Sequence, residues 1–142
     1  MIFYITLIIG IFFDLYSKFW AKTNLHEHIN VFYNLVYLKY VENTGIAFSI
    51  PLTGLFQKII TIAIIISIFY YYIKYESIKK NKLIDLSFGL ILAGALANAY
   101  ERIFNGVVTD FIGLQYFAIF NLADSFISIG VIIYLIVEMK RK

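Results

Sequence analysis

Two aspartates are candidates for acid–base catalysis, because carboxyl groups are unusual in segments that are otherwise largely apolar. Asp110 and Asp124 are fourteen residues apart, and a straight helix would separate them by about 21 Å. Gly113 and Gln115 between them favour a short returning segment that would bring the two carboxylates together. Facing carboxylates cannot both ionise cheaply, so the pair shares a proton. One carboxylate can then take a proton from water while the other polarises a carbonyl, which suits hydrolysis of an amide bond.

The residues that nucleophilic cysteine or metal-based mechanisms would require are missing from the sequence. The sequence contains no cysteine and two histidines, His26 and His28. This excludes thiolate nucleophiles, thiolate metal sites and a histidine-based metal cluster. We therefore expect no metal and no cofactor, and we assign the two histidines to the surface without a role.

Composition indicates where this chemistry would take place. Of 142 residues, 61% are hydrophobic and 15% charged, with a mean hydropathy of +0.81, whereas soluble domains carry about 25% charged residues. These values exclude a disordered chain, a nucleic-acid-binding module and an ordinary cytosolic enzyme. Four apolar stretches approach or reach the roughly 20 residues that a membrane helix needs, at about 2–21, 55–72, 83–102 and 117–137. The prediction is an all-α integral membrane protein, with residues 1–142 forming a single membrane domain.

Basic residues predict how the helices are oriented. They concentrate between the second and third stretches and after the fourth, at Lys74, Lys79, Lys80, Lys82, Lys140, Arg141 and Lys142. By the positive-inside rule, both termini and the middle loop are cytoplasmic. The first stretch contains Asp14 and Lys18 and has no small-residue cleavage site, so it is a retained span rather than a signal peptide.

The long connection between the first two spans has a different pattern. Val31–Val41 is rich in β-branched and aromatic residues and partly alternates in polarity, which favours strands. Asn43-Thr44-Gly45 indicates a turn, and Pro51 and Gly54 separate this region from the second span. We expect a small β-rich segment at about 30–50 on the outer membrane surface.

Polar residues converge on the outer ends of the predicted helices. An ionisable group at the centre of a span costs at least about 2.5 kcal/mol, so each needs a partner or a task. Asn121, Asp124, Ser125 and Ser128 form one helical stripe, and Gly94 would permit close helix approach beside it. Less specific explanations remain for three groups: mutual neutralisation of Asp14 and Lys18, helix capping by Asn121, and an interhelical hydrogen bond from Asn98.

Five motifs in order resemble the bacterial lipoprotein signal peptidase family, the type II signal peptidases. They cover nearly the whole chain: D-L-Y-S-K at 14–18, N-T-G-I-A-F-S at 43–49, A-N-A-Y-E-R at 97–102, G-V-V-T-D-F-I at 106–112 and F-N-L-A-D-S at 120–125. Ala97 and Glu101 depart from the family's G-N-x-x-D-R, and Ala93 replaces one of two upstream glycines. The extra methyl groups should loosen helix packing slightly, and Glu101 should hold its partner differently.

The resemblance implies an intramembrane aspartic endopeptidase with four transmembrane helices. It implies that Asp110 and Asp124 are catalytic and that the supporting or substrate-binding residues are Asn43, Gly45, Asn98, Arg102, Asn121, Asp14 and Lys18. The implied substrate is a prolipoprotein, cleaved just before its diacylglyceryl-modified cysteine near the outer leaflet of the bacterial cell membrane. Membrane lipids are expected partners, nucleic acid is not, and the chain is expected to be a monomer. Tyr40 and Phe48 in the outer segment would clamp the substrate.

Two other classes of function are open to a chain with buried acids. An ion or proton translocator would need polar residues across the whole membrane depth, whereas the inner halves of the four predicted spans are almost wholly apolar. A non-enzymatic scaffold would tolerate asparagine at Asp110 and Asp124, and it leaves their origin in separate segments unexplained.

Overall fold

The computed structural model describes residues 1–33, 35–45 and 54–141. Within these ranges lie four α-helices and three strands: α1 (Ile2–Asn24), β1 (Ile29–Phe32), β2 (Val36–Asn43), α2 (Leu55–Tyr71), α3 (Lys82–Phe104), β3 (Val108–Leu114) and α4 (Leu122–Met139). A π-helical turn, Tyr72–Glu76, and a 3₁₀ turn, Ser77–Lys79, extend α2 toward α3.

All four helices are long and apolar enough to cross a membrane, as predicted, with α2 taken together with the two turns that extend it to Lys79. Helix α4 begins at Leu122, so the predicted start at residue 117 is five residues too early. The apolar residues before it do not continue the helix, because Tyr116 has a φ of +67° and Phe120 forms a β-bridge with Ile112. Hydropathy alone could not separate this apolar turn from the helix that follows.

The predicted β-rich segment is confirmed in β1 and β2, which pair antiparallel. A third strand, β3, comes from the connection between α3 and α4 and completes the sheet in the order β1-β2-β3. Sequence analysis predicted a returning segment there, without recognising it as a strand of the same sheet. Residues 46–53, including Phe48 and Pro51, lie outside the described residues.

Helix α3 is the most buried of the four and packs against the other three. Small residues allow this. A methyl group at Gly94 would collide with the carbonyl oxygen of Ala123 in α4, so the predicted close approach is present. Ala93, which departs from the pattern that the sequence resembles, is fully buried, and a Cβ built on Gly10 in α1 would lie 2.7 Å from its methyl group. Gly10 therefore leaves the room that the Ala93 methyl occupies.

A second polar cluster lies at the opposite end of the helices from the sheet. Glu76 is 1% exposed and pairs with Lys79 at 2.6 Å and with Arg141 at 3.1 Å. Asn81 caps the start of α3 by accepting hydrogen bonds from the backbone N–H groups of Leu83 and Ile84. This cluster ties the end of α2 to the residues after α4.

Candidate active site

The β2–β3 ladder brings Asn43 to Asp110. Asp110 pairs with Val41 in the antiparallel register, and Asn43 lies two residues further along β2, on the same face of the sheet. Its Nδ2 donates to Oδ2 of Asp110 at 2.8 Å. The backbone N–H of Gly45, which has a φ of +99°, donates to Oδ1 of Asn43 at 2.9 Å. The turn predicted at 43–45 thus orients an amide toward a carboxylate.

A tight return after β3 brings Asp124 to the same place. The N–H groups of Phe111 and Ile112 both donate to the carbonyl of Phe120, and the N–H of Phe120 donates back to Ile112. Asn121 then caps α4, with its Oδ1 accepting the N–H of Asp124 at 3.0 Å while Oδ2 of Asp124 accepts the N–H of Asn121 at 3.3 Å. The capping role considered for Asn121 is therefore correct, and it places Asp124 in the first turn.

Three asparagine amides converge on the two carboxylates. Asn121 Nδ2 donates to Oδ1 of Asp110 at 2.7 Å, so both oxygens of Asp110 accept an amide. Asn98, from α3, donates to Oδ1 of Asp124 at 2.9 Å. Asn121 therefore has two roles, because it caps α4 and also bonds to Asp110.

Asp110 and Asp124 line the same cavity, which has a volume of about 650 Å³. Its lining combines polar and apolar side chains, from Asn43, Asn98, Arg102, Val108, Asp110, Leu114, Phe117, Ala118, Ile119, Phe120, Asp124, Ser125, Ser128 and Ile129. The polar stripe predicted for α4 faces this cavity through three of its four residues. Asn121 itself is fully buried behind it.

The cavity environment affects the acidity of Asp110, which is 2% exposed. Burial raises the pKa of its carboxyl above the usual 3.8, because an ion loses solvation there. Negative charge on Asp124 raises the pKa further, whereas the hydrogen bonds from Asn43 and Asn121 lower it. The net effect is that the pKa of Asp110 is raised, which favours retention of a proton by this carboxyl group.

Asp14 and Lys18 lie behind the cavity rather than in its wall. Both are buried, and their charged groups are 2.7 Å apart, so the predicted ion pair is present. The ammonium of Lys18 also contacts Oε2 of Glu101 at 3.2 Å and Oδ1 of Asn98 at 2.7 Å. Oδ1 of Asp14 accepts the backbone N–H of Ala123 at the start of α4. The pair therefore links α1 to both helices that carry site residues.

Sequence analysis missed three supporting contacts. Glu101, noted only as a departure, accepts hydrogen bonds from both the N–H and the hydroxyl of Thr109, at 2.9 and 2.8 Å. Gln57 in α2 donates to the carbonyl of Gly45 at 3.2 Å. The β-branched residues Val107, Val108 and Thr109 could have indicated the strand that carries Thr109, but nothing in the sequence pointed to Gln57. Tyr40, predicted as a clamp, packs beside Ala21, Leu25 and Phe111.

Four membrane-crossing helices with paired carboxylates in a partly polar cavity define the class of intramembrane aspartic proteases. The sequence profile of signal peptidase (SPase) II matches residues 6–140. The chain belongs to this family and is therefore an enzyme, a signal peptidase of the aspartic type.

Relatives and solved structures agree with this assignment. A lipoprotein signal peptidase of Clostridium novyi is 36% identical, with 95% of each chain covered. A lipoprotein signal peptidase of Buchnera aphidicola is 42% identical over 84% of this chain and 81% of its own. A bacterial membrane enzyme solved by the in meso method at 1.9 Å resolution is 31% identical and superposes with a TM-score of 0.83, covering 99% of this chain and 94% of the other.

Proposed function

We propose that Asp110 and Asp124 hydrolyse the peptide bond before the lipidated cysteine of a prolipoprotein and thereby release its signal peptide. The observation that carries this proposal is that two carboxylates from separate segments line one cavity and are bridged by the Asn121 side chain. The names of the relatives, lipoprotein signal peptidases, support the substrate class.

The reaction needs one proton shared between the two carboxyl groups. The ionised member removes a proton from a water molecule, whose oxygen attacks the scissile carbonyl carbon. The protonated member donates a hydrogen bond and then its proton to the carbonyl oxygen, giving a neutral tetrahedral diol. The C–N bond breaks as the nitrogen receives a proton from one carboxyl group and a diol hydroxyl gives its proton to the other. The carboxylic acid product and the free amine then leave with the dyad again singly protonated.

Arg102 is well placed to hold the substrate backbone beside the pair. It lines the cavity, and its buried Nε has no hydrogen-bond partner among the described residues. An unsatisfied buried donor costs about 1–3 kcal/mol, and a substrate carbonyl would remove that cost. We assign Arg102 to substrate binding, and Asn43, Asn98 and Asn121 to orientation of the two carboxylates.

The apolar wall of the cavity suits a substrate that carries a lipid. The apolar part of the lining includes Leu114, Phe117, Ala118, Ile119 and Ile129. Phe117 is 68% exposed, and an exposed aromatic ring beside a cavity favours an apolar ligand. The diacylglyceryl group would lie along this wall among membrane lipids and hold the scissile bond at a fixed height, which reduces the entropy cost of encounter.

The charge distribution supports cytoplasmic termini and an active site near the outer leaflet. The basic residues between α2 and α3 and after α4 lie at the opposite end of the helices from the sheet and cavity, as the positive-inside rule requires for such a topology. Both aspartates and all three amides come from one chain, which supports a monomeric enzyme. We extend the same proposal to residues 1–142 as one membrane domain.

Separate changes Asp110→Asn and Asp124→Asn test the proposal in the enzyme reconstituted in phospholipid vesicles with a diacylglyceryl-modified prolipoprotein. Each should reduce kcat by at least about 10³-fold, because neither asparagine can take or give the proton. Asp85→Asn is the matched control, because Asp85 lies in the first turn of α3 at the other end of the helix and accepts a hydrogen bond from Tyr72. Near-normal turnover in either dyad variant would exclude the proposed chemistry.

The topology has its own test, made simple by the absence of cysteine from the chain. His26→Cys and Lys80→Cys introduce single thiols before the sheet and in the connection between α2 and α3. A membrane-impermeant maleimide added to intact cells should label only the first, and labelling of only the second would reverse the proposed orientation.

A further inference from the structure

The three amides that contact the catalytic pair are each held in one orientation by a donor on their oxygen. Asn43 accepts the backbone N–H of Gly45, and Asn121 accepts the backbone N–H of Asp124. Asn98 accepts the ammonium of Lys18 at 2.7 Å. Since its oxygen is engaged, each amide must present its NH₂ group to a carboxylate.

Lys18 is the only one of these donors that is a side chain. An ammonium has three hydrogens and no acceptor, so only the oxygen of Asn98 can face it, and the NH₂ of Asn98 then lies 2.9 Å from Asp124. Asn121 Nδ2 lies 3.2 Å from the same oxygen, but it also faces Asp110 at 2.7 Å and the carbonyl of Thr109 at 3.2 Å. With two hydrogens for three acceptors, Asn121 cannot replace Lys18.

Lys18 is itself held from two sides. It is 2% exposed and pairs with Asp14 on α1 and with Glu101 on α3. Glu101 accepts two hydrogen bonds from Thr109, the residue before Asp110. Asp14 and Glu101 are in direct contact with the ammonium, the charge of Lys18 acts on Asp110 in β3, and Asp124 in α4 is reached through Asn98. The position of the ammonium is therefore determined by buried partners on two helices.

We propose that Lys18 is a positioning residue that keeps the amide of Asn98 oriented as a donor to Asp124. The proposal rests on the catalytic pair proposed above and adds a residue that contacts neither carboxylate of that pair. Its effect passes through Asn98 to Asp124, while Glu101 and Thr109 connect the same ammonium to the strand that carries Asp110.

Loss of the ammonium should change proton affinity as well as geometry. Without Lys18, rotation of the Asn98 amide would bring its oxygen against Asp124, and two oxygens in contact are compatible only if the carboxyl is protonated. The charge of Lys18 also lowers the pKa of Asp110, so its removal favours protonation of that acid as well. Both effects shift the pH range in which one carboxylate is ionised to higher values.

The test is a double-mutant cycle with Lys18→Met and Asn98→Leu in vesicle-reconstituted full-length enzyme and a diacylglyceryl-modified prolipoprotein. Lys18→Met should lower kcat by about 10- to 100-fold, as expected for a displaced catalytic group, with KM changed by less than about threefold. The acidic limb of the kcat profile should move to higher pH. In the Asn98→Leu background, Lys18→Met should lower kcat by less than it does in the wild-type enzyme, because the part of its effect that passes through Asn98 to Asp124 is already lost.

Two further variants separate positioning from folding. Glu76→Gln removes a buried charge at the opposite end of the helices and should lower the unfolding temperature without a change in kcat or in the pH profile. If Lys18→Met fails to fold, Asp14→Asn with Lys18→Met removes both charges of the pair, and the asparagine oxygen can still accept the N–H of Ala123. This double variant should show the same shift of the acidic limb.

The outcomes distinguish this proposal from the one on which it rests. Folded Lys18 variants with unchanged kcat and pH profile, or effects that add fully to those of Asn98→Leu, would overturn the positioning role. If instead Asp110→Asn or Asp124→Asn retains turnover, the catalytic pair itself is wrong, whatever the Lys18 variants do.

Discussion

Asn121 Nδ2 lies 2.7 Å from Oδ1 of Asp110, although the two residues belong to a helix cap and to a β-strand. The same side chain accepts the backbone N–H of Asp124 through its oxygen. One asparagine therefore sets the start of α4 and the separation between the strand and the helix. Because Asn121 is fully buried, solvent cannot replace these bonds.

Replacement of Asn121 should reduce both stability and activity. Asn121→Ala removes the cap, worth about 1 kcal/mol, and also frees Asp110 and Asp124 to move relative to each other. We expect a fall in kcat of about 100-fold, as for a displaced catalytic group. Thermal unfolding in detergent and cleavage of a lipidated prolipoprotein measure the two effects.

A second helix cap provides the control for this change. Asn81 caps α3 at the other end of the molecule through the N–H groups of Leu83 and Ile84. Asn81→Ala should cost a similar amount of stability and leave kcat unchanged. Equal losses of activity in the two variants would mean that Asn121 acts only through helix stability.

The candidate site was predictable from sequence to the extent that polar groups in apolar helices need partners. That argument identified Asp14, Lys18 and Asn98, which now lie in one buried network. It also left two interpretations of Asn121 open, a helix cap or a site residue. In the structure Asn121 is both, because it caps α4 at Asp124 and also donates a hydrogen bond to Asp110. A helical pattern cannot indicate such a combination, because the second contact depends on a strand distant in sequence.

Other features could not be predicted because they depend on pairing between distant segments. Residues 108–114 are apolar on both faces of the strand except at Thr109 and Asp110, so hydropathy does not distinguish them from a helix start. The register with β2 decides that Asp110 lies beside Asn43. The contact of Glu101 with Thr109 has the same origin, since it requires the β3 backbone to return over the end of α3.

Asn43→Ala should shift the pH dependence upward. The hydrogen bond from Asn43 lowers the pKa of Asp110, against burial, which raises it. Burial and the charge of Asp124 both raise this pKa. Without the Asn43 donor, less remains to lower it, so the pKa of Asp110 rises. Whether Asp110 is the acid or the base, its limb of the kcat/KM profile moves to higher pH.

Asn30→Ala is a matched change in the same sheet, since Asn30 is exposed in β1 and its side chain bonds only to His28 among the described residues. Its pH profile should match that of the unchanged enzyme. An unshifted or downward-shifted limb in a folded Asn43→Ala enzyme would show that the amide does not act on Asp110.

Helices α3 and α4 are so close at Gly94 that any side chain there should force them apart. A Cβ there would collide with the carbonyl oxygen of Ala123 and lie 2.8 Å from Cγ1 of Ile127. Gly94→Ala should therefore push away the first turn of α4, which carries Asp124, at a cost of about 1–3 kcal/mol. Unfolding temperature and kcat should both fall, whereas Leu96→Ala, on the exposed side of α3, should change neither by a comparable amount. Wild-type kcat in Gly94→Ala would show that the helices can separate without moving Asp124.

Gln57 offers a test of whether α2 contributes to the active site. Its Nε2 donates to the carbonyl of Gly45, whose N–H holds Asn43, which in turn donates to Asp110. Gln57→Glu keeps the size of the side chain but presents only acceptors to that carbonyl, so the turn should shift and the Asn43 bond lengthen. We expect kcat/KM to fall by about 3- to 10-fold, the effect of roughly one neutral hydrogen bond.

Thr61, one turn further along α2 and half-buried, provides the control as Thr61→Val, and it should have wild-type kcat/KM. The acidic limb in Gln57→Glu should also move in the same direction as in Asn43→Ala, by a smaller amount, because the amide is weakened rather than removed. Combined with Asn43→Ala, the Gln57 change should add little, since its effect on Asp110 passes through that amide. Full additivity would mean that α2 influences the enzyme by another route, such as direct contact with the substrate.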